Sequence, residues 1–103
     1  MVRRYLSPDH CDHPDTGCPV AALAPEIART KITVRKRIAG LMKEHTHRWV
    51  DFMPGATATG RERNFYVIFS AMAGAVSIAR LLTKPADRER VLASVRDYIL
   101  RSF

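Results

Sequence analysis

Gly17-Cys18-Pro19-Val20-Ala21-Ala22-Leu23 marks the point where the chain turns from a polar loop into a helix, and three further helix-length segments follow it. Pro19 suits the first helical position, where its missing N–H has no intrahelical partner to lose, and Gly17 permits a sharp turn into it. The Ala-rich run from Val20 to about Arg29 has high helix propensity and closes on a basic residue, the charge that the helix dipole favours at that end. Pro25 stands inside this run. It removes one backbone hydrogen bond and crowds the carbonyl four residues earlier, so a kink or two short helical pieces are expected.

Toward the N-terminus, Ser7-Pro8 stops whatever the first six residues form, whether a helix end or an arm, because a residue before proline is biased away from helical geometry. Residues 7–17 are dense in Pro, Asp, His and Gly and read as a loop. The expected organisation is therefore 1–17 as the end of a preceding helix plus a polar loop, and 18–103 as one helical domain.

Toward the C-terminus, Thr30 or Thr33 can cap the next helix. In it Val34, Ile38, Leu41, Met42, His45, Trp49 and Phe52 recur at spacings of three and four, which predicts one buried helical face. Pro54-Gly55 ends that helix, and Thr59-Gly60-Arg61-Glu62 has the spacing of a capping box that opens the following one. From there to about Leu82 the residues are apolar nearly all round, with Phe65, Val67, Ile68, Phe69, Met72, Val76, Ile78, Leu81 and Leu82 pointing in every direction. Such a helix has to be covered on all sides. Pro85 and Asp87 start the last helix, where Val91, Leu92, Val95, Tyr98 and Ile99 form a narrower stripe.

At 103 residues the chain is one small all-α domain, too small to enclose that apolar helix alone, and a partner subunit relieves the shortfall. Ala71, Gly74, Ala75 and Ala79 put small side chains at helical spacing beside Ile78 and permit close backbone approach. With the Val91, Leu92, Val95 and Ile99 stripe they predict a homodimer in which the last two helices of each subunit form an isologous four-helix bundle.

Several function classes are excluded or disfavoured. The longest uncharged apolar stretch, Phe65 to Ala79, is short of the about 20 residues that span a bilayer, so no membrane role is expected. Val2-Arg3-Arg4-Tyr5-Leu6 runs into a polar loop rather than a signal-like apolar run, which leads us to expect a cytoplasmic location. The net charge of +7 lies in the later helices, since residues 1–30 carry three cations against four carboxylates, Asp9, Asp12, Asp15 and Glu26. The cations are scattered without interleaved aromatics, the pattern of solvated helix faces rather than of a nucleic-acid platform. No phosphate loop, nucleophile elbow or paired carboxylates stand out, so no enzyme and no cofactor are expected.

Two groups of residues suggest ligands. Met42, His45, Trp49 and Phe52 on one helix face Phe65, Phe69 and Met72 on the next in the expected packing, an aromatic and thioether lining with one polar group that suits a small hydrophobic effector. In the N-terminal loop, His10, Cys11, His13 and Cys18 place two imidazoles and two thiols within nine positions, a donor set that zinc favours. Their order departs from the usual pairing of two close cysteines with two close histidines. A small dimeric metal- or redox-binding module on these four residues is the second reading, beside an ordinary capped loop with no metal.

The run from Tyr5-Leu6-Ser7-Pro8-Asp9-His10 through the GCPVAAL stretch to Glu26-Ile27-Ala28-Arg29-Thr30 resembles the ligand-binding domain of TetR-type transcriptional regulators. The later segments fit the same order, with Val34-Arg35 opening a long helix and Gly74-Ala75 inside an apolar helix before Ala79-Arg80. The resemblance implies a TetR-type C-terminal fold, dimerisation through the last two helices and effector sensing in a repressor. In that family a helix-turn-helix module precedes the sensor, and ligand binding reorients the paired DNA-reading helices. No such module is read in these residues, so DNA contact is expected only through a module absent from this chain. The chain is then either the sensor of a longer repressor or a truncated product able to pair with an intact relative.

Overall fold

The computed structural model describes residues 2–14 and 17–103; Met1 and Asp15, which belong to the expected N-terminal segment and loop, lie outside the described residues. Among the described residues the chain forms six α-helices and no strand: α1 (Val2–Tyr5), α2 (Pro8–Asp12), α3 (Pro19–Ala28), α4 (Ile32–Val50), α5 (Ala58–Arg80) and α6 (Pro85–Ser102). The chain is all-helical, as its periodicity predicts. The helices group into two compact units, one made of the residues up to Ala22 together with Ile68–Phe103, the other of Leu23–Val67.

In the first unit, α1 and α2 lie against α6, and the core is Leu6, Cys11, Ala21, Ile68, Met72, Val76, Ala79, Leu92 and Ile99. The segment expected as a loop over residues 7–17 contains a helical turn instead. Ser7 is extended (φ −118°, ψ 153°), its Oγ accepts the His10 N–H at 3.2 Å, and Pro8 takes the first helical position. The same hydroxyl donates to the Arg4 carbonyl at 2.7 Å, so one side chain closes α1 and caps α2.

α3 starts at Pro19 as predicted, but it is one helix that continues through Pro25. The carbonyl that Pro25 deprives of a donor is that of Ala21, four residues earlier. Ser77 Oγ of α5 donates to it at 2.7 Å. A hydroxyl far along the chain thus replaces the missing N–H, and the break expected from sequence does not occur.

In the second unit the threonines serve differently from expectation. Thr30 Oγ1 donates to the Ile27 carbonyl at 2.6 Å and closes α3, while α4 begins after Lys31 without a side-chain cap. The α4 stripe predicted to be buried has no buried member. Val34, Leu41 and Phe52 are exposed, Phe52 by 75%, and Ile38, Met42, His45 and Trp49 are half-buried. The spacing established one apolar face but not what covers it.

α5 opens two residues earlier than its capping-box signal. Thr57, not Thr59, is the cap: its Oγ1 accepts the Gly60 N–H at 2.9 Å, and Asn64 Nδ2 reaches back to the Pro54 carbonyl at 2.6 Å. Gly55 makes the preceding turn possible with φ +145°, a conformation that strains any L side chain. Thr57→Ala is expected to cost about 1 kcal/mol. Thr59→Ala should stay within about 0.5 kcal/mol of wild type, a contrast that urea denaturation of the two variants checks.

The last helix matches its signals. Pro85 stands in its first turn with Asp87, and Arg101 in its last, each charge placed as the helix dipole favours.

Candidate functional site

The predicted effector lining divides between the two units. In the second, α4 sets His45 and Trp49 one turn apart, with ring centroids 6.4 Å apart, and His45 meets Phe65 of α5 at 6.0 Å in an edge-to-face arrangement. Trp49 continues to Phe52 at 5.9 Å. Met42, half-buried, lies one turn before His45 on α4. Phe65 is 1% exposed and fills the space beneath this row. Phe69 and Met72 belong to the first unit, where Phe69 packs against Tyr5 at 6.2 Å and Met72 is 1% exposed in the core.

Between α4 and the first turns of α5 a cavity of about 660 Å³ does open, but on the polar flank of α4, lined by Lys43, His47, Asp51, Arg61, Glu62 and Tyr66 among others. A second, also of about 660 Å³, lies in the first unit against Pro8, Cys11, Asp12, Pro85, Arg88 and Leu92. Both have the size of small-molecule sites. None of the seven residues predicted to line the effector site borders either cavity.

Burial holds the His45 imidazole below the usual histidine range, and the Arg48 guanidinium nearby adds to the effect. The neutral ring is therefore favoured in the folded state. Stability from this residue is present above its unfolded pKa of about 6.5 and is lost as the pH falls toward the lower folded value. In an NMR titration the His45 ring is expected to show a midpoint below that of a histidine in an unstructured peptide. A midpoint at or above it would contradict the packing against Phe65.

On α5 the first unit exposes an apolar face. Ile78 is 54% exposed and Leu81, just past the end of α5, 81%, Ala71 and Gly74 are half-buried in the turns before them, and a Cβ built on Gly74 meets nothing within 4 Å. On α6, Val91 and Val95 are half-buried and Tyr98 is 66% exposed. The remaining residues expected at the subunit contact are already covered by their own chain: Ala75, Ala79, Leu92 and Ile99 are between 0% and 4% exposed. Helical geometry explains the division, because α5 is apolar all round and one side of it turns to the core of its own unit. The side left open runs through Ala71, Gly74, Ile78 and Leu81.

The four His and Cys residues of the N-terminal segment are used structurally. His10 Nδ1 donates to the Tyr5 carbonyl at 2.8 Å, its Nε2 accepts the Cys18 N–H at 2.8 Å, and its ring stands 4.5 Å from that of Tyr5. His13 Nδ1 donates to the Asp9 carbonyl at 2.7 Å, with the Asp9 carboxylate at 3.4 Å. Cys11 is 1% exposed, and burial pushes its thiol up. Cys11 and Cys18 are both free thiols. Among the described residues no three His, Cys, Asp or Glu side chains come together as a metal site. With both ring nitrogens of His10 engaged and Cys11 in the core, the metal-module reading loses two of its four ligands.

Arg80 holds this segment together and gave no signal in the sequence. Its Nε donates to the Cys11 carbonyl at 3.0 Å and its Nη2 to the His10 carbonyl at 2.9 Å, both at the C-terminal end of α2, where the His10 carbonyl also accepts the His13 N–H at 3.4 Å. Arg88 adds an ion pair to Asp12 at 2.8 Å. The Tyr5 hydroxyl is buried beside the Cys18 thiol without a hydrogen bond of proper geometry, and burial pushes its ionisation far above the ordinary phenol range.

Compared with known proteins, the chain matches no protein-family model, no curated protein and no solved structure. Among the described residues no helix is long and apolar enough to cross a membrane.

Proposed function

We propose that this chain is the effector-sensing and dimerisation portion of a TetR-type transcriptional repressor, a homodimer whose operator contact is made by a separate DNA-reading module. The observation that carries this reading is the open apolar face of α5, with Ile78 and Leu81 exposed and no atom near the Gly74 position. A face of this kind, small at Ala71 and Gly74 and aliphatic at Ile78 and Leu81, suits an antiparallel second copy of the same helix across a two-fold axis, where the small residues of one meet the aliphatic ones of the other. Val91, Val95 and Tyr98 of α6 extend it, and together the two helices supply the half-bundle that such a dimer needs.

The effector in this reading is a small hydrophobic compound bound beside α4, whose His45 and Trp49 remain half-buried and within reach. Trp49 reports on that site. Titration with a panel of small hydrophobic compounds is expected to shift or quench its emission saturably, with Trp49→Phe abolishing the signal while calorimetry still detects binding. A compound that saturates the protein by calorimetry, leaves Trp49 emission unchanged and binds Trp49→Ala equally well would remove this site from the proposal.

A further inference from the structure

We propose that the cavity between α2 and α6 is a binding site for a small organic cation, a protonated amine carried on a compact apolar body. It lies wholly within the first unit. Pro8, Cys11 and Asp12 share one face of α2, and Pro85, Glu89 and Leu92, at spacings of four and three, share one face of α6, so the two helices form a groove. Cys11 and Leu92, at 1% and 0% exposure, are its apolar floor. Burial pushes the Cys11 thiol up and keeps it neutral at physiological pH. Pro8 and Pro85 stand in the first turns of their helices and are apolar walls with no N–H to offer a ligand. At about 660 Å³ the space has room for a ring-sized body.

The charges select the sign of the ligand. Among the described residues three charged side chains line the cavity, Asp12, Arg88 and Glu89. Arg88 is held at two points, with Nη1 on Asp12 at 2.8 Å and Nε on the Leu82 carbonyl at 2.6 Å, so its charge is already answered. Glu89 is answered less well. Its Oε1 meets Arg96 Nη2 only at 3.4 Å, and Arg96 is divided between Glu89, Asp97 at 3.6 Å and the Leu6 carbonyl at 3.4 Å. Its Oε2 is buried and takes no hydrogen bond among the described residues. The lining and its ion-pair partners thus set three carboxylates against two guanidinium groups, a local negative excess in a chain whose net charge is +7. A buried carboxylate oxygen without a donor is costly, and an ammonium seated at Glu89 relieves that cost while its apolar part covers Leu92 and Cys11. A neutral alcohol supplies the hydrogen bond without the charge and binds more weakly, and a carboxylate ligand meets Glu89 with like charge.

The test titrates the full ¹⁵N-labelled chain with three probes of similar shape, benzylamine, benzyl alcohol and benzoate, at a pH of about 7, where the amine is a cation and the acid an anion. Benzylamine is expected to shift the amides of Cys11, Arg88 and Leu92 saturably, with a dissociation constant on the order of 1 mM, in the range of very small ligands. Benzyl alcohol should bind there roughly tenfold more weakly, and benzoate should leave those amides unmoved. Glu89→Gln keeps the shape and removes the charge. Benzylamine should then lose roughly tenfold in affinity, while benzyl alcohol, whose hydroxyl the amide oxygen still accepts, should change by less than about twofold. Benzylamine that fails to saturate by roughly 50 mM, or that binds wild type no better than benzyl alcohol does, overturns the proposal whatever the variant does. So does equal benzylamine affinity in Glu89→Gln and wild type. None of these results bears on the dimer face of α5 or on the site beside α4, which do not use Glu89.

Discussion

Ile78→Glu is expected to sediment as a folded monomer, and the wild-type protein as the proposed dimer. Ile78 is 54% exposed within its own chain, so the substitution removes little from the intrachain core. In an isologous contact it occurs twice near the axis, and each copy buries a carboxylate without a partner. Central positions of this kind dominate association, so the dissociation constant should rise by roughly a hundredfold or more. Leu100→Glu is the matched control: Leu100 is 43% exposed on a different side of α6 from Val91 and Tyr98, and its loss should leave the dimer intact. Sedimentation velocity over a concentration series decides the matter. A wild-type protein that stays monomeric at high concentration would remove the assembly from the proposed function.

Arg80→Met should produce the largest loss of stability among single substitutions outside the apolar core. Methionine keeps most of the apolar stem but gives up both donors to the α2 carbonyls at His10 and Cys11. Hydrogen bonds to a charged group are worth more than neutral ones, and their loss leaves the part-buried His10 and Cys11 carbonyls without their charged donor, so about 2–4 kcal/mol is expected. Urea denaturation measures the loss. Thiol titration locates it, because Cys11 is 1% exposed in the intact fold and should become reactive when α2 loosens. Arg80→Lys should recover only part of the stability, since an ammonium cannot span two carbonyls in the planar geometry of a guanidinium. Unchanged stability with a protected Cys11 would show that the clamp contributes nothing.

Local chemistry was legible wherever a signal acts on its nearest neighbours. Pro19 and Pro85 start helices because a residue without an N–H loses nothing there, and both stand where predicted. The Thr57–Gly60 bond shows the limit of such signals, since two threonines two residues apart present nearly the same pattern and only the turn through Gly55 selects between them. Periodicity found the apolar faces of α4, α5 and α6, yet it assigned too much burial to α4 and placed Ala75, Ala79, Leu92 and Ile99 at a subunit contact although their own chain covers them. A period reports that a face is apolar; it carries no information about which surface meets it.

By itself, then, the sequence determined that the chain is helical, where most of its helices begin and which of their sides are apolar, because propensity, capping and 3.6-residue spacing act within a few residues. Tertiary structure alone decided that Ser77 repairs the α3 backbone opposite Pro25, that Arg80 clamps α2, and that His10 is spent on two backbone groups instead of a metal. Those contacts join residues that the chain separates by up to 70 positions. Nothing in local geometry ranks one distant hydroxyl, guanidinium or imidazole over another until packing brings a carbonyl within reach.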